Sequence, residues 1–187
     1  IDDASYDKTA EVAKTNGAIV IKHSKNLGYD KSLNSGFKIA DKMGFKFAIT
    51  LDADQQHDTK VVPKLLSELF DKEVDIVAGV RVNSQRFSEY IFKVISKYVW
   101  GLKDPLCGLK GYRMDIYKKF GTFDTFNSIG TELLIRASIK NKKISQINVN
   151  INKRIDKPRF GNIIYANYKI FKALLICLIK LRWIIIN

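Results

Sequence analysis

Ile49-Thr50-Leu51-Asp52-Ala53-Asp54-Gln55-Gln56-His57-Asp58 changes character in its middle. The first three residues complete an apolar run, Phe45 to Leu51, of the kind that forms a fully buried strand. The rest crowds carboxylates, amides and an imidazole together. Acids held so close repel one another, and a cation relieves that repulsion. Two-residue spacing in extended chain aims Asp52, Asp54 and Gln56 at one point. Three hard oxygen ligands, completed by phosphate oxygens and water, suit Mg²⁺ or Mn²⁺. The competing reading is an Asx turn followed by Asp58 as a helix cap. His57 fits a fourth ligand or an acceptor contact. With 14 Asp in the chain, a D-x-D pair arises about once by chance, so position gives this one its weight.

Outward from this stretch, apolar runs alternate with amphipathic ones. Thr9–Thr15 reads as a short helix and Ala18–Lys22 as a strand. Lys31–Met43 has helical spacing and stops at Gly44. A helix with Pro63 in its first turn runs to Phe70. Val74–Val80 is a second buried strand, Ser88–Trp100 a helix, Leu109–Arg113 a short strand and Thr131–Lys140 a helix. A strand follows in which Ile147, Val149 and Ile151 share a face. This order predicts a three-layer α/β domain with a mostly parallel sheet. Ligands in such sheets gather at the carboxyl ends of strands. Asp2-Asp3-Ala4-Ser5, the Asp52–Gln56 group and Arg81 are all expected there.

The 187 residues are 46% hydrophobic, enough for one real core, and carry a formal charge of +13. Such a charge calls for nucleic acid, anionic lipid or phosphorylated ligands. Residues 151–187 hold eight Lys/Arg against Asp156 alone, a net of +7. Two cysteines, Cys107 and Cys177, are too few for a disulfide framework and point to a reducing compartment; Cys107 is expected as a small buried hydrophobe. The opening Ile1-Asp2-Asp3 carries no signal peptide and reads as the end of a strand, so the chain is expected to be a trimmed piece.

IDDASYDKT resembles the VDDxSxDxT segment of family 2 glycosyltransferases, and NLGYDKSLNSGFKIA resembles their NxGxxxAxNxG loop and helix. LDADQQHD resembles their metal-binding segment as found in polyprenol-phosphate sugar transferases, dolichyl-phosphate mannosyltransferase among them. DIVAGVR, KDPLCGLKGYR and TELLIRASIKNKKISQINVNINKR follow in the family's order. The resemblance implies a GT-A (Rossmann-like) fold over residues 1–160, transferring a sugar from a nucleotide sugar with inversion. It implies donor contacts at Asp2, Asp3, Gly28, Asp52 and Arg81, and Mg²⁺ or Mn²⁺ on Asp52, Asp54 and Gln56. Asp30 and Lys31 stand where the family has small residues, and Gln146 and Asn148 where an acid and a proline are common.

The acceptor decides the biology. A hydroxyl must lose a proton as it attacks and needs a base; a lipid phosphate is already anionic and needs cations. Arg86, Arg154 and Arg159 are candidates for holding a polyprenyl phosphate, as is Arg81 beside the donor. Asp104 is the carboxylate placed to resemble a base for a saccharide hydroxyl, or else it begins a turn before Pro105. Residues 161–187 have helical spacing, with Lys169, Lys172 and Lys180 within about 80° of arc. That suits a helix lying on the cytoplasmic face of the cell membrane, with a helix packed on its own domain or another subunit as the rival. A basic nucleic-acid-binding module fits the charge, but no helix-turn-helix, zinc or aromatic RNA-binding signature accompanies it.

Overall fold

A computed structural model describes residues 1–71, 74–82, 86–152 and 162–186, with side chains to residue 181. In chain order the elements are α1 (Thr9–Thr15), α2 (Tyr29–Lys42), β1 (Phe47–Thr50), α3 (Val62–Asp71), β2 (Ile76–Arg81) and α4 (Phe87–Trp100). They continue as β3 (Lys110–Arg113), α5 (Met114–Phe120), α6 (Glu132–Ile139), β4 (Ile144–Val149) and α7 (Ile163–Ile186). A 3-10 turn, Thr59–Val61, leads into α3, and the Asp58 side chain caps it by accepting the Lys60 N–H at 2.9 Å. That is the capping expected of Asp58, and Pro63 falls in the first turn of α3.

The sheet order is β1-β3-β2-β4. β2 and β4 run parallel, while β3 lies antiparallel between β1 and β2. The sheet is therefore mixed, with three strands in one direction and β3 reversed. The expected strand Ala18–Lys22 is reduced to a single parallel bridge between Asp2 and Lys22.

Side chains alternate across the strands, so each strand feeds both faces. Val77 of β2 and Val149 of β4 join Leu65 and Leu69 of α3 in one core. Ile76, Ala78 and Tyr112 join α2, α4, α5, α6 and α7 in the other. Phe37 of α2 stacks on Phe123 at 4.5 Å between ring centroids and meets Tyr112 edge-on at 5.3 Å. This makes three layers, one thin and one thick. One face of α7 (Ala166, Ile170, Ala173, Leu174, Cys177, Leu181) is buried in the thick layer, so that helix packs on its own domain along this side. Both cysteines are free and fully buried. Burial pushes both thiols up, Cys177 to about 12, as suits packing groups rather than nucleophiles.

Candidate active site

β1 delivers the acid loop to the sheet edge. Thr50 Oγ1 donates to the Gly108 carbonyl at 2.6 Å, which ties the end of β1 to the chain entering β3. Beyond it the backbone bends at residues 53–55, and Gln55 takes a left-handed φ of 60°. The expected extended spacing is thus replaced by a turn, closed by the Gln56 N–H donating to Asp54 Oδ1 at 3.1 Å. Asp52, Asp54 and Gln56 remain half-buried, while Ala53 and Gln55 are exposed. The Asx turn is present, and Asp52, Asp54 and Gln56 are half-buried along it.

Asp52 has two close neighbours, Gly108 and Tyr29. A Cβ on Gly108 would stand 2.1 Å from Asp52 Oδ2, so the carboxylate occupies the space that a side chain there would fill. The Tyr29 phenol lies close to Asp52; burial, then the Asp52 charge, push it well above its ordinary value. His57 is buried and its Nδ1 has no hydrogen-bond partner. Burial lowers its pKa against the pull of Asp52 and Asp54, so the imidazole is neutral at pH 7. Among the described residues no group of three or more His, Cys, Asp or Glu side chains forms a metal cluster. Two carboxylates on a turn nevertheless fit a hard cation that draws its remaining ligands from a diphosphate and water.

The opening acids build the neighbouring loop. Asp3 Oδ1 accepts the Leu27 N–H at 2.7 Å and sits 2.8 Å from His23 Nδ1, while Oδ2 accepts the Gly28 N–H at 2.7 Å. Burial opposes ionisation of Asp3, but His23 and the two N–H groups outweigh it and hold the carboxyl below its ordinary value. Asp3 therefore shapes the turn at Gly28, whose φ of 92° favours glycine. Tyr29 follows directly and reaches Asp52, so the two acid groups are linked through Gly28–Tyr29. Asp2 Oδ1 accepts the Ser5 N–H at 3.0 Å, while Oδ2 has no hydrogen-bond partner and lies 3.6 Å from Lys22 Nζ. Beside it is a cleft of about 440 Å³ lined by Ala4, Ser5, Tyr6, Lys22, His23 and Ser24.

At the end of β2 a second cluster forms. Arg81 Nε and Nη2 grip Asp104 at 2.7 and 2.9 Å, and the Arg81 backbone N–H adds a third bond at 3.0 Å. Lys93 Nζ stands 3.2 Å from the same carboxylate and donates to the Arg81 carbonyl at 3.0 Å. Glu89 receives Arg81 Nη1 at 3.3 Å and Arg86 Nη1 at 2.9 Å, one on each oxygen. Burial works against the charge on Asp104, yet Arg81 and Lys93 hold its carboxyl below the ordinary value. Its side chain is fully enclosed. That setting suits an anchor for Arg81 better than a proton acceptor. Arg81 and Arg86 are brought together by Glu89; Arg154 and Arg159 lie outside the described residues. His57 lies in the field of Asp52 and Asp54 and also of Arg81 and Asp104, which joins the acid loop to the cationic cluster.

Three supports were not read from the sequence. Lys110 of β3 is buried, and its Nζ donates to the Gly130 carbonyl at 3.0 Å. Asp30 Oδ1 accepts the Gly130 N–H at 2.6 Å, and burial with nearby Asp124 pushes its carboxyl up to about 6. Gln146 bridges the 101–103 turn, donating to the Gly101 carbonyl at 2.9 Å and accepting the Lys103 N–H at 2.6 Å. A charged residue inside an apolar segment was the available signal for Lys110.

Comparison with known proteins gives the family and the fold. The family model for glycosyl transferase family 2 matches residues 1–140. The dolichyl-phosphate hexose transferase of Haloferax volcanii is 24% identical over 167 residues, covering 84% of this chain and 71% of that protein. The dolichol-phosphate mannosyltransferase of Pyrococcus furiosus is 29% identical over 154 residues, covering 75% of this chain and 42% of that protein. The glucosyl-3-phosphoglycerate synthase of Mycobacterium tuberculosis, solved with Mn²⁺, uridine diphosphate and phosphoglyceric acid, superposes with a TM-score of 0.70 at 16% identity. That superposition covers 94% of this chain and 65% of the solved one, and it shows a shared GT-A fold. Matched over three-quarters of its length, the chain belongs to glycosyl transferase family 2.

Proposed function

We propose that this chain is the catalytic part of a metal-dependent glycosyltransferase that moves a sugar from a nucleotide sugar to a polyprenyl phosphate at the cytoplasmic face of the membrane. One observation carries the reading: Asp52, confined against Gly108 and close to Tyr29, shares an edge with three cationic side chains gathered on Glu89 and Asp104. The names of the Haloferax and Pyrococcus relatives support the acceptor class.

Asp52 and Asp54, with Gln56, would hold Mg²⁺ or Mn²⁺. That ion supplies positive charge against a diphosphate leaving group, whose negative charge grows as the glycosidic bond breaks. Asp2 and the cleft beside it stand on the donor side. Arg81, Arg86 and Lys93 face the acceptor. A phosphate oxygen forms the new bond to the anomeric carbon, the old carbon–oxygen pair leaves with the nucleoside diphosphate, and no proton has to move. Three cations over two buried carboxylates leave one net positive charge for that phosphate. A saccharide hydroxyl needs a base, and the expected one, Asp104, is occupied. Membership of the family leaves the nucleic-acid module without support.

The test is a donor screen with the full-length protein, following radiolabelled sugar into an organic-extractable lipid with Mn²⁺ or with chelator. Labelled lipid that disappears on chelation, and falls on the order of 10²-fold in Asp54→Asn, supports the reading. Label in a water-soluble glycan overturns the acceptor, and undiminished transfer under chelation overturns the metal.

A further inference from the structure

The imidazole of His23 stands where three parts of the chain meet. Its Nδ1 lies 2.8 Å from Asp3 Oδ1, and its Nε2 lies 2.9 Å from Ser35 Oγ on α2. Its backbone N–H donates to the Asp2 carbonyl at 2.9 Å. A carboxylate only accepts, so Nδ1 carries the hydrogen, while the Ser35 hydroxyl can serve Nε2 in either role. Both ring nitrogens are occupied, and the side chain is only 9% exposed. Beyond it Ser24, Lys25, Asn26 and Leu27 are all exposed. That loop is tied at its far end by Asp3, through the Leu27 and Gly28 N–H groups, and at its near end by His23.

Carboxylate, imidazole and hydroxyl in this order have the spacing of a nucleophilic triad. Two features rule that use out. Ser35 lies in the middle of α2, where the backbone N–H groups are spent on helical bonds and leave none to cradle an oxyanion. Nor does Ser35 line the cleft of about 440 Å³, whereas Lys22, His23 and Ser24 make up half of the residues that do. The shape of the cleft thus depends on where this loop stands. Helix α2 is a firm support for it, because Phe37 is buried in the thick core. The same helix begins at Tyr29, close to Asp52.

We infer that His23 is a positioning residue for the donor cleft, with Ser35 as its anchor: the imidazole ties the exposed loop to α2 and so holds the cleft in register with Asp52. A loop ordered beforehand does not have to be ordered by its ligand, which favours binding and leaves the chemistry untouched. The effect therefore belongs to donor affinity and not to the rate of transfer. It rests on the proposed place of the cleft on the donor side, and not on which acceptor is used.

Calorimetric titration of the full-length protein with UDP and with GDP, each in Mn²⁺, tests it. Transfer at saturating donor, to the acceptor found in the donor screen, is measured in parallel. Ser35→Ala removes the anchor without touching the cleft, and His23→Leu removes both bonds. Each is expected to weaken binding of the favoured nucleotide about tenfold, while the saturated rate stays within about twofold of the parent. His23→Gln keeps a donor for Asp3 and an acceptor for Ser35, and should bind within about threefold of the parent. The two residues act as one unit, so His23→Leu with Ser35→Ala should bind no worse than His23→Leu alone. Ser35→Ala should melt with the parent; if His23→Leu does not fold, Ser35→Ala and His23→Gln decide. A Ser35→Ala protein that binds like the parent, a double variant whose losses add, or a saturated rate that falls with affinity overturns the positioning role. A parent that binds neither nucleotide overturns the donor reading itself, and this role with it.

Discussion

Asp52 Oδ2 lies where the first atom of any side chain at position 108 would have to be, 2.1 Å from a Cβ built on Gly108. The carboxylate is confined against backbone, and the neighbouring Gly108 carbonyl is pinned by Thr50. Gly108→Ala must therefore expel Asp52 from its place. We expect Mn²⁺-dependent donor binding to fall as far as in Asp52→Asn, on the order of 10²-fold, while the far-ultraviolet spectrum is unchanged. Calorimetric titration of the donor in Mn²⁺ measures it; an alanine variant that binds like the parent refutes the confinement.

Tyr29 lies close to the same carboxylate, and its hydroxyl is the only part that Tyr29→Phe removes. Partners that orient a metal-binding carboxylate typically contribute 10- to 100-fold in metal affinity, so we expect about a tenfold rise in the Mn²⁺ concentration needed for half-maximal transfer. At saturating Mn²⁺ the rate should recover. A rate that stays low at saturation would give Tyr29 a direct part in the reaction.

Asp104→Asn separates an anchor from a base. Removing the charge leaves Arg81 and Lys93 paired with a neutral amide inside the protein, a loss of about 3–5 kcal/mol for a buried pair. The Asp104 carboxyl sits below its ordinary value of 3.8 in the fold. Its stabilisation is therefore fully present above that value and fades as pH falls through the lower, folded one. Thermal melts should show a large deficit at pH 7 that narrows below pH 3.8, with acceptor binding weakened as well. A variant that binds acceptor and melts normally but transfers no sugar would restore Asp104 as the base.

The elements written into local pattern were legible. β1 announces itself by its apolar run, α1 begins and ends where the spacing puts it, and Asp58 caps as its chemistry requires. Ala18–Lys22 has the composition of a strand, but Ile19 is exposed and only Lys22 pairs, because strand propensity needs a partner to act on. The reversed β3 and the seven-residue α5 were not readable: strand order is set by packing, and seven residues carry too little periodicity. The acid loop could be found from residue types alone. The grip of Asp3 on Gly28, 25 residues away, and of Asp104 on Arg81, 23 away, could not, since such pairs exist only after the layers assemble. Asp3 thus holds the Gly28 turn and Asp104 holds Arg81, each a structural part that the sequence did not show.

Asp30 is the departure from the family pattern whose cost can be measured. It stands one residue after Tyr29 and receives the Gly130 N–H at 2.6 Å, while burial and then the Asp124 charge raise its carboxyl from 3.8 to about 6. A carboxyl raised by the fold contributes stability that is complete below its unfolded value and is lost as pH rises through the folded one. Between pH 3.8 and about 6 that contribution disappears, and at pH 7.5 the ionised group is a burden on the fold. Asn at this position keeps an oxygen for the Gly130 N–H and carries no charge. Asp30→Asn should therefore stabilise the protein at pH 7.5 by roughly 1–3 kcal/mol and leave it nearly unchanged at pH 4. Thermal melts of both proteins across this range decide the matter: a difference that does not depend on pH would mean that Asp30 ionises normally beside Asp124.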